Sequence, residues 1–531
     1  MDTGKAFVGT SKDDEFVASK GTWGVGDSID GGKGTDGLTI VTDNVDDLDF
    51  SVNTMKSIEI VNITSSDATG DITLDTTTAG KIADNFKAVT DLYLTTSGAA
   101  GGIILTVDGK TNVTATAKAA GQDITVTGGK AVSATATATG VASITGNALT
   151  TVTVKGGVTN AIDNEGTDTP ATSGAGETLK SVTFEANATG TNTIDGNAID
   201  TLTLKDQTAA LTTTITNAKS TALTVNLNNV NTGASVVNAG AKAETVTINS
   251  NGTKDNTLQF NAAAGKTLNI TGDAKLTLVD ADVAKDVVST NTKGVTITTA
   301  LGTDVKFTGG TGADTVTVAA TTKAITMGAG DDKVIYTAAA GTGGSVDAGA
   351  GKDTISMTSA LITSNIVTDG TGIFNNTFKN FEVLEVSTTG TSIVIDVEKI
   401  NNVSEVELAV DGNTSTISNL VSGGRVAFLA VAATSASTNN LTVSVKNATT
   451  GTSDVLNLDL KAVATGAVDF GTVTAANVET INITAADINT TAAGSAAEIA
   501  ELALVATSAT KVVVSGNNGL DLTGTTGAKI T

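Results

Sequence analysis

The sequence predicts an all-β fold of parallel β-solenoid, or β-roll, modules interrupted by short segments rich in glycine and aspartate. Three observations lead there. Short apolar runs with period-two alternation recur along nearly the whole chain, as half-buried strands require. Some of these runs return at a near-constant step. A nine-residue Gly/Asp pattern returns several times, each time ahead of such a run.

The strand-like runs include Ile58 to Thr64 (IEIVNIT), Asp123 to Gly129, Ser181 to Ala186, Thr201 to Asp206, Ala222 to Asn228 and Glu244 to Ser250. Ser181, Thr201, Ala222 and Glu244 follow one another at 20, 21 and 22 residues, a period that fits one solenoid coil per step. Duplication is visible as well. Ile144 to Lys155 (ITGNALTTVTVK) and Ile194 to Lys205 (IDGNAIDTLTLK) correspond position by position, 50 residues apart. The longest apolar run, Val426 to Ala433, reads as a buried strand, being far short of the ~20 residues of a membrane helix. Helix is expected only at Ala79 to Val89 and at Gly494 to Ala506, with Ser495 as a cap, as decorations between coils.

Glu59, Glu382 and Glu479 stand at the same place before an alternating strand, 23, 29 and 25 residues after Asp36, Asp353 and Asp454. Recurring once per module with no base or electrophile beside them, they are expected to cap or bridge coils. Three modules are read, starting near residues 1, 301 and 451. In finer division these are an N-terminal Gly/Asp segment (1–50), a β-solenoid module (51–300), a β-roll (301–360), a β-rich module (361–450) and a C-terminal β-rich module (451–531).

Composition narrows the chemistry. Aromatic residues make up 3% of the 531, so the core must be filled by Val, Ile, Leu and Ala, which suits a thin layered interior. The 58 glycines beside a single proline exclude collagen and Pro-rich linkers. Against 31 Lys and Arg stand 55 Asp and Glu, a net charge of −24, so a phosphate backbone is a poor partner and no nucleic acid is expected. With no Cys, no His and one arginine, Arg425, the usual nucleophile, general base and carboxylate clamp are scarce, and no enzyme activity is expected. The start has no basic region followed by an apolar one, so no Sec signal peptide is read. The strand-like end suggests a piece of a longer protein.

The Gly/Asp pattern is G-G-x-G-x-D-x-U-x, where U is a large apolar residue. Gly309 to Thr317 and Gly31 to Thr39 match it fully. Met327 to Ile335 and Ala348 to Ser356 match from the second glycine onward, and Gly9 to Val17 matches loosely. Glycines let the loop turn tightly and aim carbonyl oxygens inward, while aspartate adds a hard anionic oxygen, the donor set that Ca2+ prefers. The candidate calcium ligands are Asp13, Asp14, Asp27, Asp30 and Asp36 with Gly31 and Lys33, and then Asp314, Asp331, Asp332, Asp347 and Asp353 with Gly309, Thr311, Gly328, Gly330, Gly349 and Gly351. Asp314 and Asp332 lie 18 residues apart, or two nonapeptides, so they are expected on one edge of a roll, one coil apart. Asp332 to Asp353 is 21, and the three extra residues are placed at Gly341 to Gly344. Lys33 and Lys352 sit beside would-be ligands.

These nonapeptides resemble those of the repeats-in-toxin (RTX) family, over about 50 residues in the middle of the chain and 30 at its start. The wider pattern resembles the RTX-containing surface-layer (S-layer) proteins of Gram-negative bacteria. It comprises F-x-G-T-x-x-D-D-x-F at Phe7 to Phe16, Gly26 to Ile40, NVETINIT at Asn477 to Thr484 and Val512 to Gly524. The resemblance implies parallel β-rolls with short RTX calcium-binding segments, export by a type I system, calcium-dependent folding outside the cell and self-assembly into a surface lattice. Partners would then be other copies of the chain, and cell-surface polysaccharide through a region outside it. The alternative is an extracellular adhesin or filament subunit with a calcium-stabilised solenoid stalk.

Overall fold

The computed structural model describes residues 4–19, 22–23, 25–44, 48–98, 101–164, 178–216, 218–231, 233, 235–262, 265–282, 285–338, 343–367, 373–388, 392–409, 414–430, 439–463, 466–488, 499–527 and 529–530. They form an all-β parallel solenoid, divided into two compact units, Met1–Ala284 and Lys285–Thr531.

In the first unit each coil gives one strand to each of two long parallel sheets. One sheet runs Glu15–Ala18, Gly37–Thr42, Ile60–Ser65, Asp91–Thr96, Asn112–Ala117 and onward to Thr267–Gly272. The other runs from Ile72–Asp75 through Ile103–Thr106 and Ile124–Thr127 to Leu276–Asp282. Alternation decides which side chains face inward. Leu74, Leu105, Val126, Ile144, Ile162, Ile194 and Ile215 stack in register on one wall, and Val152, Val182, Leu202, Val225, Ile248 and Ile270 on the other. All are buried, each burial being worth roughly 1.5–3 kcal/mol. Beside the first coils a third, short sheet (Ala6–Val8, Ser28–Asp30, Thr54–Lys56) carries the N-terminal acidic loops into those of the main sheet.

The register gives the visible duplication its meaning. Ile144 faces Ile162 and Ile162 faces Ile194, so the matching segments lie two coils apart. The period needs correcting, however. Ser181 faces Thr201, but Thr201 faces Thr224 and Ala222 faces Thr245, so the steps are 20, 23 and 23 rather than 20, 21 and 22. Loop length varies from coil to coil, so the distance between strand starts does not report the pairing.

Between Ala79 and Val89 only one helical turn forms, Lys81–Asn85. Its Asn85 is buried and accepts the Met55 N–H (2.8 Å) while donating to the Phe50 and Asn53 carbonyls (2.8 and 3.0 Å). The adjoining Phe86 packs edge-on to Phe50, which also meets Trp23.

The second unit has the same build. Val295–Leu301, Thr315–Val318, Lys333–Tyr336, Thr354–Thr358, Val383–Thr388 and Glu405–Ala409 pair in parallel, and the series continues to Lys511–Gly516. The helix expected at Gly494 to Ala506 is overturned. Residues 494–498 lie outside the described residues, and Ile499–Ala506 is a strand, paired in parallel with Val468–Ala475 and Gly519–Thr526. Ala500, Leu502, Leu504 and Ala506 point inward. With Glu501 its one polar residue, the segment fits either period, and the neighbouring strands decide.

Candidate metal centre

Three acidic loops of the second unit lie one above another. The first, from Gly309 to Asp314, joins Lys306–Thr308 to Thr315–Val318. Met327 to Asp332 joins Ala324–Thr326 to Lys333–Tyr336, and Ala348 to Asp353 joins Ser345–Asp347 to Thr354–Thr358. Thr315 faces Lys333 and Lys333 faces Thr354, which puts the loops one coil apart. Ile325 faces Val346 at the same larger step of 21, so the extra residues fall between Tyr336 and Ser345, where 339–342 lie outside the described residues.

Each loop ends in an aspartate turned inward, and Asp314, Asp332 and Asp353 are at most 1% exposed. Their carboxylates form a column of hydrogen bonds. Asp314 Oδ1 accepts the Val295 N–H (2.7 Å), Asp332 Oδ1 the Asp314 N–H (2.7 Å) and Asp353 Oδ1 the Asp332 N–H (2.8 Å). Glu382 Oε2 then accepts the Asp353 N–H (2.8 Å) and ends the series. The first unit repeats this design: Asp36 Oδ1 takes the Asp14 N–H and Glu59 Oε2 the Asp36 N–H, both at 2.8 Å. Asp454 N–H bonds Glu479 Oε2 in the same way. All three recurring glutamates thus bridge coils.

The second carboxylate oxygen is the unusual feature. Oδ2 of Asp36, Asp332, Asp353 and Asp454 is buried with no hydrogen-bond partner among the described residues. Loss of water, reinforced by Asp314, Asp353 and Asp331, pushes the Asp332 carboxyl up to about 7. Burial, with Glu382, Asp331 and Asp347 close by, pushes Asp353 up to about 6. Elsewhere in the solenoid the same duty falls to neutral groups. Asn160 Oδ1 accepts the Ala142 N–H (3.1 Å) and its amide donates to Asn192 (2.9 Å), while Asn256 Oδ1 accepts the Val230 N–H (2.7 Å). Asparagine suffices to bridge coils. Aspartate adds a negative charge that only a cation or a proton can offset.

The other predicted ligands divide. Asp13 and Asp331 are exposed and bind the next coil's backbone, accepting the Thr35 and Lys352 N–H groups (2.8 and 2.9 Å). Asp14 is half-buried and accepts from both the N–H and the hydroxyl of Thr10 (2.5 and 2.9 Å). Asp30 is ion-paired with Lys56 (2.7 Å), Asp347 accepts from the Asn380 amide (2.7 Å), and buried Asp27 accepts the Lys5 N–H (3.2 Å). Gly328, Gly330, Gly349 and Gly351 have positive φ, the conformation that shapes the loops. Thr311 and Lys33 are exposed. Lys352 turns away from the column to Glu405 (2.8 Å), which Arg425 also approaches (3.6 Å).

Among the described residues no group of three or more carboxylates converges on one point. The acids are stacked in line, so a cation here would be held by one carboxylate at a time together with backbone carbonyls. The orphaned inward oxygens suit a hard cation such as calcium. Compared with known proteins, no family model matches the chain and no curated protein sequence matches it either.

Proposed function

We propose that this β-solenoid is a structural protein of the cell surface, a calcium-dependent S-layer subunit of the RTX type, exported by a type I system and assembling with copies of itself. The observation that carries this reading is the set of inward aspartates Asp36, Asp332 and Asp353, whose second oxygens have no partner among the described residues, set into an interior that uses asparagine elsewhere. Calcium bound at these loops neutralises carboxylates that otherwise repel, and it adds folding free energy because only the native state presents the stacked loops. Sites built from so few charged ligands fall in the weak, extracellular class of affinity, so folding and assembly wait for export. No helix among the described residues is long and apolar enough to cross a membrane.

An adhesin or filament subunit would use the same stalk. Light scattering and electron microscopy of the protein in millimolar calcium and in EGTA separate the readings. Sheets that disperse on chelation support a lattice subunit, fibres support the filament, and particle size indifferent to calcium sinks both.

A further inference from the structure

One turn of the first unit is far longer than those that follow it on the same side. From Ile72–Asp75 to Asp91–Thr96 the chain takes fifteen residues, 76–90, whereas the next three turns take five (107–111), three (128–130) and five (146–150). Closing a coil needs only the short form. The excess is held firmly, because Asn85 ties it to the Met55 N–H and to the Phe50 and Asn53 carbonyls. Together with the turn at 107–111 it borders a pocket of about 270 Å³. Phe86 and Val89 form the apolar part of its wall, and Thr76, Thr77, Lys87, Asp108, Lys110 and Thr111 the polar part.

The polar groups divide by what they have left to offer a ligand. The Thr76 hydroxyl donates to the Thr106 carbonyl (3.2 Å), that of Thr111 to the Val89 carbonyl (3.4 Å) and that of Thr77 to Asp75 Oδ1 (2.6 Å), which leaves each with lone pairs only. Asp108 is an acceptor too, and its Oδ1 takes the Lys110 N–H (2.8 Å). The donors are the ammonium groups of Lys87 and Lys110. Both lysines are exposed, and neither is ion-paired among the described residues, although acids outnumber bases 55 to 31 in the chain. A matching ligand carries an anionic group for the lysines, several hydroxyls to donate to the threonines and Asp108, and a carbon face for Phe86 and Val89. We propose that this pocket binds a carboxylated sugar ring, a uronic acid, either free or at the end of a chain. Its volume falls just below the roughly 300–1,000 Å³ of drug-sized sites, which suits one such ring and not a stretch of polymer. The site draws on neither the acidic loops nor calcium, so it stands or falls apart from the surface-layer reading.

The test is calorimetric titration of the full chain at pH 7 in millimolar calcium, its fold checked by circular dichroism, with sodium glucuronate, sodium galacturonate, glucose, acetate and short oligogalacturonates. At least one uronate should bind saturably, one per chain. Glucose lacks the anion and acetate lacks the hydroxyls, so both should bind at least about tenfold more weakly. Lys87→Met and Lys110→Met keep the apolar stem and remove the charge, and each should weaken uronate binding about tenfold, the loss expected of one charge-assisted hydrogen bond. Lys118→Met, at an exposed lysine outside the pocket, should leave binding unchanged. Oligomers that bind as the monomer does identify a chain end as the ligand, and oligomers that are excluded identify the free sugar; both results support the site. The proposal is overturned if the folded protein binds neither uronate, if acetate binds as tightly as they do, or if Lys87→Met and Lys110→Met bind no more weakly than Lys118→Met.

Discussion

Replacing Asp332 by asparagine, with calcium absent, measures the charge stored in the column. Asparagine keeps the oxygen that accepts the Asp314 N–H and removes the ionisable group. The folded carboxyl titrates near 7 against an ordinary 3.8, so the folded state holds its proton more tightly than the unfolded chain. Stability from this group is therefore fully present below about pH 3.8 and is lost as pH rises through 7. At about 1.36 kcal/mol per pH unit, the loss by pH 8 is about 4 kcal/mol. The new amide nitrogen, buried where Oδ2 was, costs about 1–3 kcal/mol. The variant should thus exceed wild type by about 1–3 kcal/mol at pH 8, a rise in Tm on the order of 5 °C, and should fall below it at pH 4. Carboxyls held low by hydrogen bonds or lysines, such as Asp30, Asp75 and Asp304, are ionised in both states above pH 5 and do not disturb the comparison. Thermal unfolding of both proteins in EGTA from pH 4 to 8 decides the matter. Parallel curves without a crossing would mean that Asp332 is not a buried, strained acid.

Glu382→Ala should cost about 1–3 kcal/mol by leaving the Asp353 N–H without its acceptor, whereas Glu382→Gln should keep most of that stability; urea unfolding at pH 7 compares them. Asn85→Ala strands one N–H and two carbonyls in the interior, and a loss above about 3 kcal/mol is expected from the same assay. Leu204→Ala, fully buried in the solenoid wall, should cost about 2–5 kcal/mol. By contrast, Lys155→Ala, one of two largely exposed lysines flanking Glu185, should change stability by less than about 1 kcal/mol, a difference that thermal unfolding in low and high salt would resolve.

How far the sequence reaches differs from feature to feature. Alternation in Ser181 to Ala186 or Thr201 to Asp206 is enough to identify strands, because a period of two with β-branched residues has no good helical reading. It fails at Ile499–Ala506, where consecutive apolar residues satisfy both periods and the paired strands make the choice. Spacing located the acidic loops, yet it was silent on Asp30 and Asp347, which are claimed by Lys56 and Asn380 from other coils. The orphaned oxygen of Asp454 had no nonapeptide to announce it, although the 25-residue interval to Glu479 was a signal.

By itself the sequence determined that the chain is a thin-cored, acidic array of coils and that its aspartates recur at a coil's length, because side-chain alternation and loop glycines are local properties. Tertiary structure alone decided the register of 20, 23 and 23, the inward turn of Asp36, Asp332 and Asp353, and the course of Lys352 toward Glu405. Those outcomes depend on hydrogen bonds and packing between coils, whose partners stand some twenty to fifty residues away and leave no mark in any short window of sequence.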